Sequence, residues 1–153
     1  MITDPNNSSH WLLLARDRLE KTDALFSRFG SSWSGVELLQ EAAARYLKGY
    51  LVHHGWQLVK THDLSLLIAQ ACQFDPQFAN FAETSRILTE QFWEQHYPGG
   101  DLDEVGQFLV SDSIKLMHYP GGDLDEVGQD YPALRKSIGE MVALIELALA
   151  PTA

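Results

Sequence analysis

A single cysteine, Cys72, stands among 153 residues. That excludes an intrachain disulfide framework and any zinc site built on several thiolates. A small buried thiol on a helix is the ordinary use of such a residue. Positive charge is scarce too: 11 Lys and Arg face 21 Asp and Glu, a formal net charge of −10. An acidic surface repels phosphodiester backbones, so broad binding of DNA or RNA is not expected. A local basic pocket for one nucleotide or one strand end stays open. Long apolar runs are missing: nothing approaches the ~18 residues of a membrane span, and "MVALIELALA" is short and interrupted by Glu146. The opening "MITDPNNSSHWLLLARDR" has no cationic start, so no signal peptide is expected and the chain reads as soluble and cytoplasmic. No Gly-rich phosphate loop, nucleophile elbow or His-Glu-x-x-His pattern occurs, and neither cofactor nor metal is expected. His53 and His54 are neighbours that point about 100° apart on a helix, so they cannot chelate one ion together.

What remains is helical. Trp11, Leu12, Leu14, Ala15, Leu19, Leu25, Phe26 and Phe29 recur mainly at spacings of three and four, closed by Gly30. After "SSWSG", read as a loop, a helix from Val36 buries Val36, Leu39, Ala43, Tyr46, Leu47, Tyr50 and Leu51, with Gly55 as its left-handed cap. "THDLSLLIAQAC" follows, with Thr61 able to cap and Asp63 suited to the helix dipole. Asp75 and Pro76 then open "FDPQFANFAETSRILTEQFWEQ" as N-cap and first position. A last helix, roughly 131–149, turns Leu134, Ile138, Met141, Val142, Ile145 and Leu149 inward. Strand alternation is absent. The fold expected is all-α, an antiparallel up-and-down bundle of four or five helices in one domain over 1–153.

Twelve residues, "HYPGGDLDEVGQ", occur at 96–107 and again at 118–129. The likeness extends upstream, where Ile87, Leu88, Thr89, Glu90 and Phe92 stand opposite Leu109, Val110, Ser111, Asp112 and Ile114. The unit is thus a helix end followed by its loop. Removing 96–117 or 108–129 leaves 131 residues that still read as a whole bundle. The second unit is therefore an insertion at 108–129 repeating 86–107, not a solenoid, which needs three or more units. Either it bulges out as an extra helix and loop, or both units compete for one slot and allow a register change or an exchanged last helix. Laboratory duplication would leave the same letters.

"QEAAARYLKGYLVHHG", then "KTHDLSLLI", then a helix ending "EQHYPGGD" resemble the HEPN domain, the higher-eukaryote and prokaryote nucleotide-binding domain. Its members show a Q-x-A-x-[EK]-[KR]-x-x-K helix with a Gly-capped end, a His-Asp-Leu helix start and an Arg-Tyr-Pro-Gly loop. The resemblance covers most of 10–107 plus the last helix. It implies an all-α bundle, usually a homodimer, often encoded beside a minimal nucleotidyltransferase in a two-component or toxin–antitoxin system. Ribonuclease members carry an Arg followed, after four to six residues, by a His. Here Arg45 precedes His53 by eight positions and Arg86 precedes His96 by ten. The loop's usual Arg is His96 in one copy and His118 in the other. In-line cleavage needs a cation and a base held together at the phosphate, so no catalytic residue is assigned.

The ligand site expected brings together Arg45, Lys48, His62, Asp63, His96 and Tyr97. Arg45 and Lys48 share one helical edge that can clamp a phosphate, or form a solvated face. His62 and Asp63 open a helix whose free N–H groups can receive an anion, or simply cap it. His96 and Tyr97 form a turn that can stack a base, or pack on the bundle. Trp11, Trp33, Trp56 and Trp93 are scattered, and packing is their expected role. The reading is a non-catalytic nucleotide- or substrate-binding partner of a nucleotidyltransferase. A ribonuclease with a degenerate motif and a purely structural, dimerising protein are the alternatives.

Overall fold

The structure is a computed structural model that describes residues 2–96 and 124–151, the side chains of 95–96 and 124–130 excepted. Its elements are α1 (Ser8–Phe29), α2 (Trp33–His53), α3 (Leu64–Cys72), a 3-10 helix (Pro76–Phe81), α4 (Ala82–His96) and α5 (Leu124–Leu149). No strand occurs among the described residues, and the architecture is the all-α bundle expected. No helix among them is long and apolar enough to cross a membrane.

α2 is the central helix. Twelve of its residues are buried, spread over most of its circumference, and α1, α3, α4 and α5 all pack against it. Its core partners include Ala15 from α1, Leu64 and Leu67 from α3, Leu88 from α4, and Ile138, Met141 and Ile145 from α5, all below 1% exposed. Each large apolar side chain taken out of water in this way stabilises the fold by about 1.5–3 kcal/mol before chain entropy is subtracted.

The helix ends follow local chemistry. Asn7 caps α1 by accepting from the Ser9 N–H, and Gly30 closes it at φ 72°, where a side chain would be strained. Ser32 caps α2 by accepting from Gly35 N–H at 3.0 Å. The helix therefore starts at Trp33, so the loop expected over "SSWSG" is shorter than its composition suggests. Asp75 and Pro76 open the next segment as expected, but its first turns are 3-10 through Phe81 before α4 begins. α5 also starts early, at Leu124 rather than near 131, and contains Pro132. Leu124 to Gln129 of the second repeat unit are thus helical, so the copied dozen is not loop throughout. The remainder of that unit lies outside the described residues.

α1 and α2 approach closely at Gly49. A Cβ there would sit 3.1 Å from Trp11 Cβ and 3.3 Å from the Ser8 carbonyl oxygen. α1 and α5 are tied by polar contacts instead. Arg135 holds both oxygens of Asp23 at 2.6 and 3.0 Å, and Arg16 meets Glu146 at 3.1 Å. As α1 rises from 16 to 23, α5 descends from 146 to 135, which makes the pair antiparallel. Phe26 and Phe29 remain 38% and 66% exposed, because the last turns of α1 outrun the core.

Candidate functional site

Arg45 and Lys48 stand on a half-buried stripe of α2 with Glu37, Glu41 and Val52, one turn apart in succession. On one side the stripe borders α1. Lys48 Nζ lies 5.4 Å from the centre of the Trp11 ring, within cation–π range. Arg18 reaches Glu41 at 3.4 Å, while Arg45 Nη1 is 3.8 Å from that same carboxylate, too far for a hydrogen bond. Arg45 Nη1 is a buried donor with no hydrogen-bond acceptor among the described residues.

The electrostatics of this stripe are unfavourable to its own charges. Burial pulls the Arg45 guanidinium below the usual arginine range; Glu41 and Asp17 oppose that, and Arg18 reinforces it. Burial, then the charge of Arg45, holds Lys48 below the ordinary lysine value. No carboxylate among the described residues lies within ion-pair distance of Lys48. Two cations three residues apart, partly desolvated and incompletely paired, form a place where an anion lowers the energy.

His62 and Asp63 precede α3, with Asp63 as its N-cap. The Asp63 carboxylate accepts from the N–H groups of Ser65 and Leu66 at 2.9 and 3.3 Å. Thr89 Oγ1 accepts from Leu64 N–H at 3.3 Å. The first-turn amides of α3 are thus occupied by side-chain oxygens of the protein, and Asp63 serves as the cap of that helix. Thr61 acts one step earlier than expected, accepting from Asp63 N–H at 3.0 Å. The His62 carbonyl accepts from Gln40 Nε2 at 2.7 Å, and its ring stacks on Phe92 with 5.2 Å between centroids. Through Gln40, His62 meets α2 about 140° around the helix from Arg45 and about 80° from Lys48. His96 ends α4, but its side chain and all of Tyr97 lie outside the described residues.

Sequence reasoning missed Trp11. It and Leu14 line a half-open cavity of about 90 Å³ together with Thr3, Asp4, Pro5 and His10. The amino-terminal arm makes the roof: Trp11 Nε1–H donates to the Pro5 carbonyl at 2.8 Å, and Asp4 N–H donates to His10 Nδ1 at 2.8 Å. Spacing alone shows Trp11, Leu14 and Arg18 on one face of α1, but only the packing of α1 on α2 puts Lys48 beside that face.

Arg86, the other arginine that precedes a histidine in the loop region, is engaged by carboxylates. Its guanidinium donates to Glu83 at 3.0 Å and also to the buried Glu90. A family model described as HEPN domain matches residues 8–119. No curated protein and no solved structure matches the chain.

Proposed function

The chain belongs to the HEPN domain family, and from that membership we propose that it is a non-catalytic nucleotide-binding module. The observation that carries this reading is the pair Arg45 and Lys48, with a buried guanidinium nitrogen that lacks an acceptor and an ammonium that lacks a carboxylate among the described residues. A phosphate on that stripe would satisfy the donor and neutralise the repulsion between the two cations.

A non-catalytic role is favoured by Arg86. A guanidinium bound to Glu83 and Glu90 is not poised for a scissile phosphate. His53 follows Arg45 at a spacing other than that of the ribonuclease members, and it is exposed at the end of α2. We further propose that the module works as a homodimer beside a minimal nucleotidyltransferase, in a toxin–antitoxin-like pair. That part is supported by the resemblance of its helix motifs and by the frequency with which HEPN domains dimerise.

Calorimetric titration of nucleoside mono- and triphosphates into the purified protein, with and without a co-purified transferase, tests the reading. Saturable binding at one site per chain is expected; no heat in either condition sinks it. Incubation with total RNA separates the enzyme alternative, since cleavage that is abolished in His96→Ala would replace the binding module with a ribonuclease.

A further inference from the structure

We propose that two copies of the chain meet through the half-buried stripe of α2, one α2 laid antiparallel on the other. Glu41 of each copy then meets Arg45 of the other, and Glu37 meets Lys48. This rests on the homodimer reading and names its interface. It also makes a second copy and a nucleotide alternative occupants of one stripe.

The charges along the stripe run acid, acid, base, base: Glu37, Glu41, Arg45, Lys48. Reversed, that order is its own complement. Glu41 and Arg45 are centred on position 43, Glu37 and Lys48 half a residue earlier. At about 1.5 Å of rise per residue the two centres agree within about 1 Å. Around the helix the members of the two pairs differ by only about 40° and about 20°, so all four face the same way. A two-fold axis across α2 at this level therefore sets every charge of the stripe against one of opposite sign. The parallel arrangement in register sets Glu on Glu and Arg on Arg, which costs affinity.

Within one chain the cations are short of acceptors. Arg45 Nη1 has none among the described residues, and no carboxylate there lies within ion-pair distance of Lys48. The side chains of Arg45 and Glu41 are 24% and 27% exposed, so both are reached from outside. A carboxylate accepts several donors at once, so Glu41 keeps Arg18 at 3.4 Å while it takes a second guanidinium. The size is adequate as well. α2 has 21 residues and is about 31 Å long. A strip of that length and two helix diameters wide covers about 600–750 Å², close to the roughly 800 Å² per partner of a stable complex.

The test is sedimentation equilibrium of the full chain as wild type, Lys48→Glu, Glu37→Lys and the double reversal, each checked for folding by circular dichroism. The wild type is expected to be a dimer that weakens with added salt. Each single reversal should weaken it at least about tenfold, and the double reversal should return it to within about threefold of the wild type. Arg45→Gln creates no repulsion and should also weaken the dimer, which keeps the test decisive where a reversal unfolds. A monomeric wild type overturns the proposal, as do single reversals that dimerise like the parent or a double reversal no better than the singles. Saturating uridine 5′-monophosphate (UMP) should dissociate the dimer; a dimer that binds it undisturbed overturns the shared stripe. If UMP binds a monomeric wild type, the phosphate reading stands and the dimer falls. If the dimer obeys the charge cycle and no nucleotide binds, the dimer stands and the phosphate reading falls.

Discussion

The hydroxyls of Thr22 and Tyr131, 109 residues apart in sequence, share a 2.6 Å hydrogen bond inside the protein. Thr22 Oγ1 also lies 2.6 Å from the Gly35 carbonyl, to which it donates, so one threonine joins α1, α2 and α5. Phe26 stacks on the Tyr131 ring at 4.8 Å. Tyr131→Phe keeps that stack and the Thr22–Gly35 bond and loses one buried hydrogen bond. A destabilisation of about 0.5–1.5 kcal/mol is expected from urea denaturation. No measurable change would mean that the hydroxyl pair is not closed in solution.

Gly49 sets how near α1 lies to α2. Gly49→Ala gains about 1 kcal/mol of helix propensity. The new methyl, however, meets Trp11 Cβ at 3.1 Å, Leu12 Cδ2 at 3.2 Å and the Ser8 carbonyl at 3.3 Å. Two of those atoms belong to the stiff part of α1, so overpacking of about 1–3 kcal/mol is expected to prevail. Thermal melting should show a lower midpoint. A higher midpoint would show that α1 slides without cost.

Tyr46, Tyr50 and Tyr131 all have phenols pushed above the ordinary tyrosine value, in each case chiefly by burial. Their stabilising contribution is complete below the unfolded value of about 10. It is lost as pH rises through the higher folded values, because the unfolded chain then ionises first. Denaturation midpoints measured from pH 8 to 12 should stay level up to about pH 10 and then fall. A fall that begins well below pH 10 with these tyrosines intact would contradict their burial.

Lys48 is held at a cost in the free protein. Its depressed value means that its surroundings disfavour the ammonium. Lys48→Met keeps the volume and removes the charge, so stability at pH 7 should rise by up to about 1 kcal/mol while anion affinity falls. In the wild type, a bound phosphate restores the charged form, so binding just below the ordinary lysine value of about 10.4 should take up protons. Calorimetry in two buffers of different ionisation heat reads that uptake. Proton release, or a less stable Lys48→Met, would contradict the desolvated-cation account.

The repeat also has a consequence. Deleting 108–129 joins Gln107 to Asp130 and rebuilds "LDEVGQDYP" letter for letter, the stretch in which α5 begins. The 131-residue chain is expected to keep its helical circular dichroism and its nucleotide affinity. A chain that unfolds, or that changes oligomeric state, would show that the second unit is part of the fold.

The helices were legible because their apolar residues recur with helical period and because Gly30, Asp75 and Pro76 punctuate them chemically, whereas the Asn7 cap of α1 was found only in the structure. Boundaries were missed where a local hydrogen bond outweighed composition. Ser32 draws Trp33 and Ser34 into α2, and α5 extends upstream through Asp- and Gly-bearing letters that read as loop. The Arg45–Lys48 edge was visible from its spacing. Its neighbours were not, because Lys48 meets Trp11 across 37 positions and no periodicity within either helix reports that contact. Asp63 read as a cap or a ligand contact in the sequence; the structure shows its carboxylate accepting from two first-turn amides of α3.

The most direct measurement is calorimetric titration of UMP into the wild type and into Arg45→Gln/Lys48→Gln at one ionic strength, with folding of both checked by circular dichroism. Saturable binding to the wild type, weakened at least about 100-fold in the folded double variant, is the result expected from removing two charge-assisted contacts. Equal affinity in the two proteins would contradict the claim that this edge of α2 holds the phosphate.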